Sequence, residues 1–103
     1  MSRYTIPARP ETLTTYPGAT VTVGWDNPLQ TFFGHVMAPV RDEGEEPVVW
    51  IGTEEGEITH ALDLSAQMWP WACIPGEVLL QLARDYAARA PQTALQRAIL
   101  DLF

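Results

Sequence analysis

Lysine is absent from this sequence of 103 residues, and all six basic residues are arginine. Without lysine there is no group for Schiff-base chemistry and no lysine for a phosphate-binding loop. The single cysteine, Cys73, excludes an internal disulfide and favours a reducing, cytoplasmic environment. Long apolar runs are absent too, so the sequence predicts neither a membrane-spanning helix nor an apolar signal segment at the N-terminus.

The scarcity of positive charge argues against nucleic acid as a direct partner. Thirteen acidic residues and six arginines give a net charge of −7, which opposes binding to phosphate backbones. Arg84, Arg89 and Arg97 form the only basic cluster in the sequence, and the nearby Asp85 and Asp101 reduce its net charge. The sequence therefore predicts no direct contact with nucleic acid and none with a membrane.

Residues with catalytic or metal-binding chemistry are few. The spacing of His35, His60 and Cys73 matches no zinc-site pattern, and neither Ser2 nor Ser65 lies in a Gly-x-Ser-x-Gly turn. We therefore expect no enzyme activity, no cofactor and no metal. His35 is expected to pack within a strand, and Cys73 to be buried as a small apolar residue. A small enzyme that uses His35 or Cys73 is the alternative.

The length and the 47% of hydrophobic residues predict one domain, over residues 1–103, with a core of its own. Residues 1–19 are expected to be an extended arm, because three prolines and Gly18 interrupt any helix there. This arm is either disordered or a fourth strand. Residues 20–52 are expected to form the sheet and residues 57–103 the helical half.

Three segments have the pattern of strands. Residues 20–25 alternate polar and apolar side chains, which places three apolar side chains on one face. Residues 31–38 are rather apolar on both faces, and residues 48–51 form a short apolar run. Pro39 is expected to end the second of these strands. In the turn between the first and second of these strands, Asp26 is expected to accept hydrogen bonds from the local backbone.

The apolar period becomes helical after residue 57. Helices are predicted from Thr59 to Met68, from Gly76 to Ala90 and from Thr93 to Asp101. Because three strands precede three helices along the chain, the predicted fold class is α+β. It consists of a three-stranded, mainly antiparallel sheet with three helices packed on it.

Acidic residues concentrate on either side of the third predicted strand. Seven of the thirteen fall within residues 42–57, a stretch with no basic residue. They are Asp42, Glu43, Glu45, Glu46, Glu54, Glu55 and Glu57. These acids either keep the loops solvated or present a row of carboxylates to a basic partner. A calcium site is a further option, although no EF-hand spacing is present.

Trp69-Pro70-Trp71 is the second candidate surface. A helix-breaking proline between two tryptophans prevents both from lying deep in one helical stripe. Either they close the core between the first two predicted helices, or one or both are exposed as contact residues, a role in which tryptophan is common.

Residues 24–33 read GWDNPLQTFF, and the apolar strand that follows reads VVWIG at residues 48–52, with Gly-Glu-Ile at 56–58. This order resembles a family of short, uncharacterised bacterial proteins, in which a GWD-x-P-x-x-TFF segment precedes a VLWVG strand. The resemblance covers most of the chain. It implies a small bacterial protein encoded by a plasmid, phage or other mobile element, and it names no activity.

These features predict a small acidic, non-enzymatic protein-binding module. The seven acids of residues 42–57 would occupy a basic, nucleic-acid-binding surface of a partner protein, and Trp69 and Trp71 would supply apolar anchors. A phage or mobile-element inhibitor is the most concrete version of this hypothesis. The alternative is a homo-oligomer, such as a homodimer, formed through a tryptophan patch or a strand edge.

Overall fold

The computed structural model describes residues 2–40, 44–89 and 99. They form an α+β fold with one antiparallel sheet. The elements are β1 (Ser2–Ile6), α1 (Pro10–Thr15), β2 (Thr20–Asp26), β3 (Thr31–Val40), β4 (Gly44–Ile51), α2 (Ala61–Met68) and α3 (Gly76–Ala87). None of these helices is long and apolar enough to cross a lipid bilayer.

The sheet has four strands in the order β1-β2-β3-β4, so the prediction of three strands was wrong. The additional strand is β1, which belongs to the segment predicted as an arm. It pairs with β2 from Ser2 opposite Trp25 to Ile6 opposite Val21. At five residues, β1 is too short to show a clear alternation of polar and apolar residues. It forms a strand because its backbone pairs with that of β2.

A short helix, α1, also lies in the predicted arm, where prolines led us to expect none. Pro10 occupies the beginning of this helix, where a proline removes no hydrogen bond because the first N–H groups of a helix have no partner within it. Proline likewise failed to end β3: Pro39 pairs with Glu45, and the strand continues to Val40. The predicted helix 93–101 lies outside the described residues except for Ile99, which is helical.

One face of the sheet, the core face, packs against α2 and α3. Directly opposite residues on antiparallel strands point to the same side. Val21 lies opposite Val36 and Trp25 opposite Phe32, and all four side chains are buried. The sequence pattern of residues 20–25 predicted this face correctly. Leu64, Met68 and Leu82 of the two helices complete the buried cluster.

Aromatic contacts attach α3 to the sheet. The Tyr86 ring lies edge-on to the Trp25 ring, with 5.3 Å between the ring centroids. It is stacked on the Phe32 ring, with 5.9 Å between the centroids. From the outer strand β1, the Tyr4 hydroxyl donates a 2.5 Å hydrogen bond to Asp85. All three contacts join a strand to α3, so they determine the position of this helix on the core face.

A bulge in β4 decides which of its side chains share a face. Val36 lies opposite Val49, but the next residue of β3, Met37, lies opposite Pro47. Val48 is therefore an extra residue, and the alternation of side chains shifts by one position there. As a result Glu45 and Trp50, which would otherwise point to opposite sides, point to the same side of the sheet.

Candidate functional site

The second face of the sheet, the open face, contains none of the residues of the buried core cluster. A cavity of about 320 Å³ lies on it, and its described lining residues belong to the strands and their turns. The lining residues are Arg3, Asp26, Leu29, Phe33, His35, Trp50, Gly52 and Thr53. The volume is at the lower end of the range of small-molecule sites.

Two glycines allow the chain to form the floor of this cavity. A Cβ atom on Gly24 would lie 2.8 Å from the ring of Phe33, so the missing side chain is what lets that ring lie over the strand. Gly52 has a φ of +77°, and a Cβ there would lie 2.0 Å from the carbonyl oxygen of Phe32. The turn after β4 therefore approaches β3 more closely than any other residue would permit.

His35 is the central polar group of the open face. Only 7% of its surface is exposed, and it lies between two aromatic rings. Phe33 is nearly parallel to it at 6.1 Å between centroids, and Trp50 is tilted at 5.4 Å. The prediction that His35 packs within a strand is confirmed.

The hydrogen bond between His35 and Arg3 determines the tautomer of the imidazole. Arg3 Nη2 lies 3.2 Å from His35 Nε2. A guanidinium only donates, so Nε2 accepts and the proton of the neutral ring is on Nδ1. Burial, and secondarily the charge of Arg3, lowers the pKa of His35, whereas Glu45 acts to raise it. The ring is therefore neutral at pH 7, and its Nδ1 is buried without a hydrogen-bond partner among the described residues.

Trp50 differs from its neighbours in the cavity because 56% of its surface is exposed. It lies on β4, the outermost strand of the described sheet on that side. Glu45, also exposed, shares the open face with it because of the bulge at Val48. The two side chains lie roughly 15 Å apart along the strand, with Pro47 between them on the same face, so each can contact a different cationic side chain of one partner.

The structure does not bring all of the predicted acids together. Glu45 and Glu46 are at the start of β4, whereas Glu54 and Glu55 follow its end. A strand of eight residues is about 25 Å long, so the two groups are far apart. Asp42 and Glu43 lie outside the described residues.

Glu57 has a structural role within its own loop. Its carboxylate accepts hydrogen bonds from the backbone N–H groups of Gly52, at 2.9 Å, and Glu54, at 3.3 Å. Asp26 acts similarly in the turn between β2 and β3, where Oδ1 accepts the Leu29 N–H at 3.1 Å. This contact confirms the prediction for Asp26.

Trp69 and Trp71 are found on the other side of the molecule from the acids of β4, next to α1. The Trp71 carbonyl accepts hydrogen bonds from the Arg9 N–H and the Thr12 hydroxyl, both at 2.9 Å, and its ring packs partly buried against the core. Trp69 is 56% exposed, but the Arg9 guanidinium lies 4.0 Å from its ring centroid. The pair therefore holds α1 against the end of α2.

The remaining candidates for catalysis are dispersed. Cys73 is exposed, so the prediction that it is buried was wrong: it lies in the irregular segment between α2 and α3, where Ala72 and Ile74 take the buried positions on either side. His60 is exposed before α2. Within residues 2–40 and 44–89, no three side chains of the His, Cys, Asp and Glu types form a group suited to a metal ion.

Comparisons with protein-family models, with curated proteins and with solved structures found no match to this chain. Inference about function therefore depends on the geometry of the site.

The sequence patterns did not indicate Arg3 and Trp50 as site residues. Arg3 belongs to β1, and a fourth strand was only one of two alternatives that the sequence left open for residues 1–19. Trp50 falls in an apolar run that indicates a buried strand, and its exposure depends on the absence of a fifth strand beside β4 in the described sheet. The alternation of Phe33, His35 and Met37 did indicate a second apolar face, but not the cavity on it.

Proposed function

We propose that this chain is a small non-enzymatic module that binds a protein partner with a basic surface, and that it does so along β4. The observation that supports the proposal is that an exposed Trp50 and an exposed Glu45 lie on the same face of the outermost described strand. Further exposed acids, Glu46, Glu54 and Glu55, lie at the two ends of the strand.

The chemistry of this surface suits arginine and lysine side chains. A guanidinium that stacks on an exposed tryptophan contributes about 0.5–1 kcal/mol, and more where water is excluded. Carboxylates nearby add attraction that is screened over about 8–10 Å at physiological salt. The net charge of −7 accelerates the encounter with a basic partner from longer distances. Tryptophan is also among the residues that most often dominate binding energy.

The proposed contact set is smaller than the one predicted from sequence. Glu57 is occupied by backbone N–H groups, and Trp71 serves the packing of α1. Trp69 stays a separate candidate because it packs against Arg9, in the segment after β1, and β1 is at the opposite edge of the sheet from β4. The proposal includes a more specific version. In it the partner is a nucleic-acid-binding protein, and this chain is a phage or mobile-element product that inhibits the partner.

Self-association is the second candidate, and the edge of β4 opposes it. Two copies pairing through this edge would each carry a net charge of −7, which opposes association, and Pro47 has no N–H to donate. A homodimer would therefore use the Trp69 surface. Light scattering after gel filtration, at several concentrations, distinguishes a dimer from a monomer that binds a different partner.

The test is a pull-down from bacterial lysate with the full chain as bait, at low and high salt, read by mass spectrometry. Trp50→Ala is compared with Trp69→Ala, since both tryptophans are 56% exposed. The double substitution Glu45→Gln/Glu46→Gln is compared with Glu11→Gln/Glu77→Gln. The second pair removes the same charge from exposed positions on α1 and α3.

We expect a basic protein to be captured at low salt, lost at high salt, and lost with Trp50→Ala and with the β4 double variant. Equal losses with the two glutamate pairs would show a general effect of charge and refute the β4 surface. A loss with Trp69→Ala alone would move the interface to Trp69. If no basic protein is captured at low salt, the proposal is wrong.

A further inference from the structure

An unsatisfied donor lies on the open face. His35 is nine-tenths buried, its Nε2 accepts from Arg3, and its Nδ1–H has no acceptor among the described residues. Buried donors are nearly always paired in native proteins, with protein, water or ligand. His35 lines the 320 Å³ cavity, but its Nδ1 atom is fully buried, so the groups that a bound molecule can reach are the Arg3 guanidinium and the aromatic rings.

Among the described residues that line the cavity, Arg3 has the only positive charge. No described carboxylate lies within ion-pair distance of the Arg3 guanidinium. A guanidinium presents two parallel N–H groups that match the two oxygens of a carboxylate. With Asp26 also in the lining and a net charge of −7, the site favours a ligand with one negative charge over a multiply charged phosphate.

The rest of the lining is flat and apolar. Phe33 and Trp50 lie on either side of His35, and Leu29 adds an aliphatic wall. Aromatic side chains in a cleft favour a planar ring, which packs against them in offset-stacked or edge-on geometry. Small-molecule sites commonly combine such walls with a few polar groups that determine orientation.

From this arrangement we propose that the open-face cavity binds a small aromatic monocarboxylate. Its carboxylate pairs with Arg3, and its ring lies among Phe33, Trp50 and Leu29. This site shares Trp50 with the protein-binding surface proposed above, but its chemistry and its test do not depend on that proposal.

The test uses the full chain and three probes: benzoate, 2-naphthoate, and the neutral 2-naphthamide as a matched control. Binding is measured by saturation-transfer NMR and by calorimetry. Arg3→Gln removes the charge, and Arg3→Lys keeps the charge but loses the two-pronged geometry. Arg84→Gln, at an exposed position on α3, removes the same charge elsewhere. Circular dichroism checks that each variant is folded.

We expect at least one carboxylate to bind more tightly than 2-naphthamide. Arg3→Gln should weaken that binding about tenfold or more, since hydrogen bonds to charged groups are among the stronger ones. Arg3→Lys should have an intermediate effect, and Arg84→Gln none. The proposal is overturned if neither carboxylate binds at about 1 mM. It is also overturned if the amide binds equally well, or if Arg3→Gln and Arg84→Gln have the same effect.

Discussion

Gly34 is where α2 approaches the sheet, and replacing it with alanine tests how the two are packed. Gly34 lies on the core face of β3, opposite Val23. A Cβ atom at this position would lie 2.6 Å from Sδ of Met68, compared with 3.4–4 Å in ordinary contact. The Met68 side chain is fully buried, so it would have to retreat by roughly 1 Å into a packed core.

The expected magnitude follows from two opposing effects. Overpacking a core costs about 1–3 kcal/mol, whereas replacing glycine with alanine at an ordinary φ recovers about 0.4–1 kcal/mol. Gly34→Ala should therefore lower the free energy of unfolding by about 1–2 kcal/mol. Met68→Ala should lower it by about 2–5 kcal/mol, because it leaves a cavity.

The double variant Gly34→Ala/Met68→Ala provides the decisive comparison. With the thioether removed, the new methyl group fills part of the cavity instead of colliding with it. We expect the double variant to be no less stable than Met68→Ala alone. Its cost would then be about 1–2 kcal/mol smaller than the sum of the costs of the two single substitutions. Urea unfolding monitored by circular dichroism gives the four free energies.

The control is Gly76→Ala, because nothing lies within 4 Å of a Cβ atom at Gly76. It should be neutral or slightly stabilising. If the costs of Gly34→Ala and Met68→Ala add to within about 0.5 kcal/mol, the two residues are not in contact and the described docking of α2 is wrong.

Two further predictions concern the loop after β4 and the open face. Glu57→Ala removes the acceptor for the N–H groups of Gly52 and Glu54 and should cost about 1 kcal/mol in urea unfolding, whereas Glu54→Ala should cost less. For His35, whose pKa is lowered from 6.5 in the folded state, the unfolded chain takes up the proton first as pH falls. Stability should therefore decrease as pH falls below about 6.5, and His35→Gln should flatten that part of the profile; parallel profiles would contradict the assignment.

The sequence was sufficient for features that depend on neighbouring residues alone. The alternation over residues 20–25 identified a half-buried strand and its core-facing side chains, and the period after Gly76 identified α3. The turn at Asp26 was also predictable, because an aspartate side chain reaches the backbone a few residues ahead. Each of these signals has a range of only a few residues.

The tertiary structure alone decided the features on which the site depends. β1 is a strand because its backbone pairs with that of β2, and this pairing places Arg3 near His35. The bulge at Val48 is a property of the β3–β4 register, and it alone places Glu45 on the face of Trp50. Register and strand order arise from contacts between distant segments, so local periodicity contains no information about them.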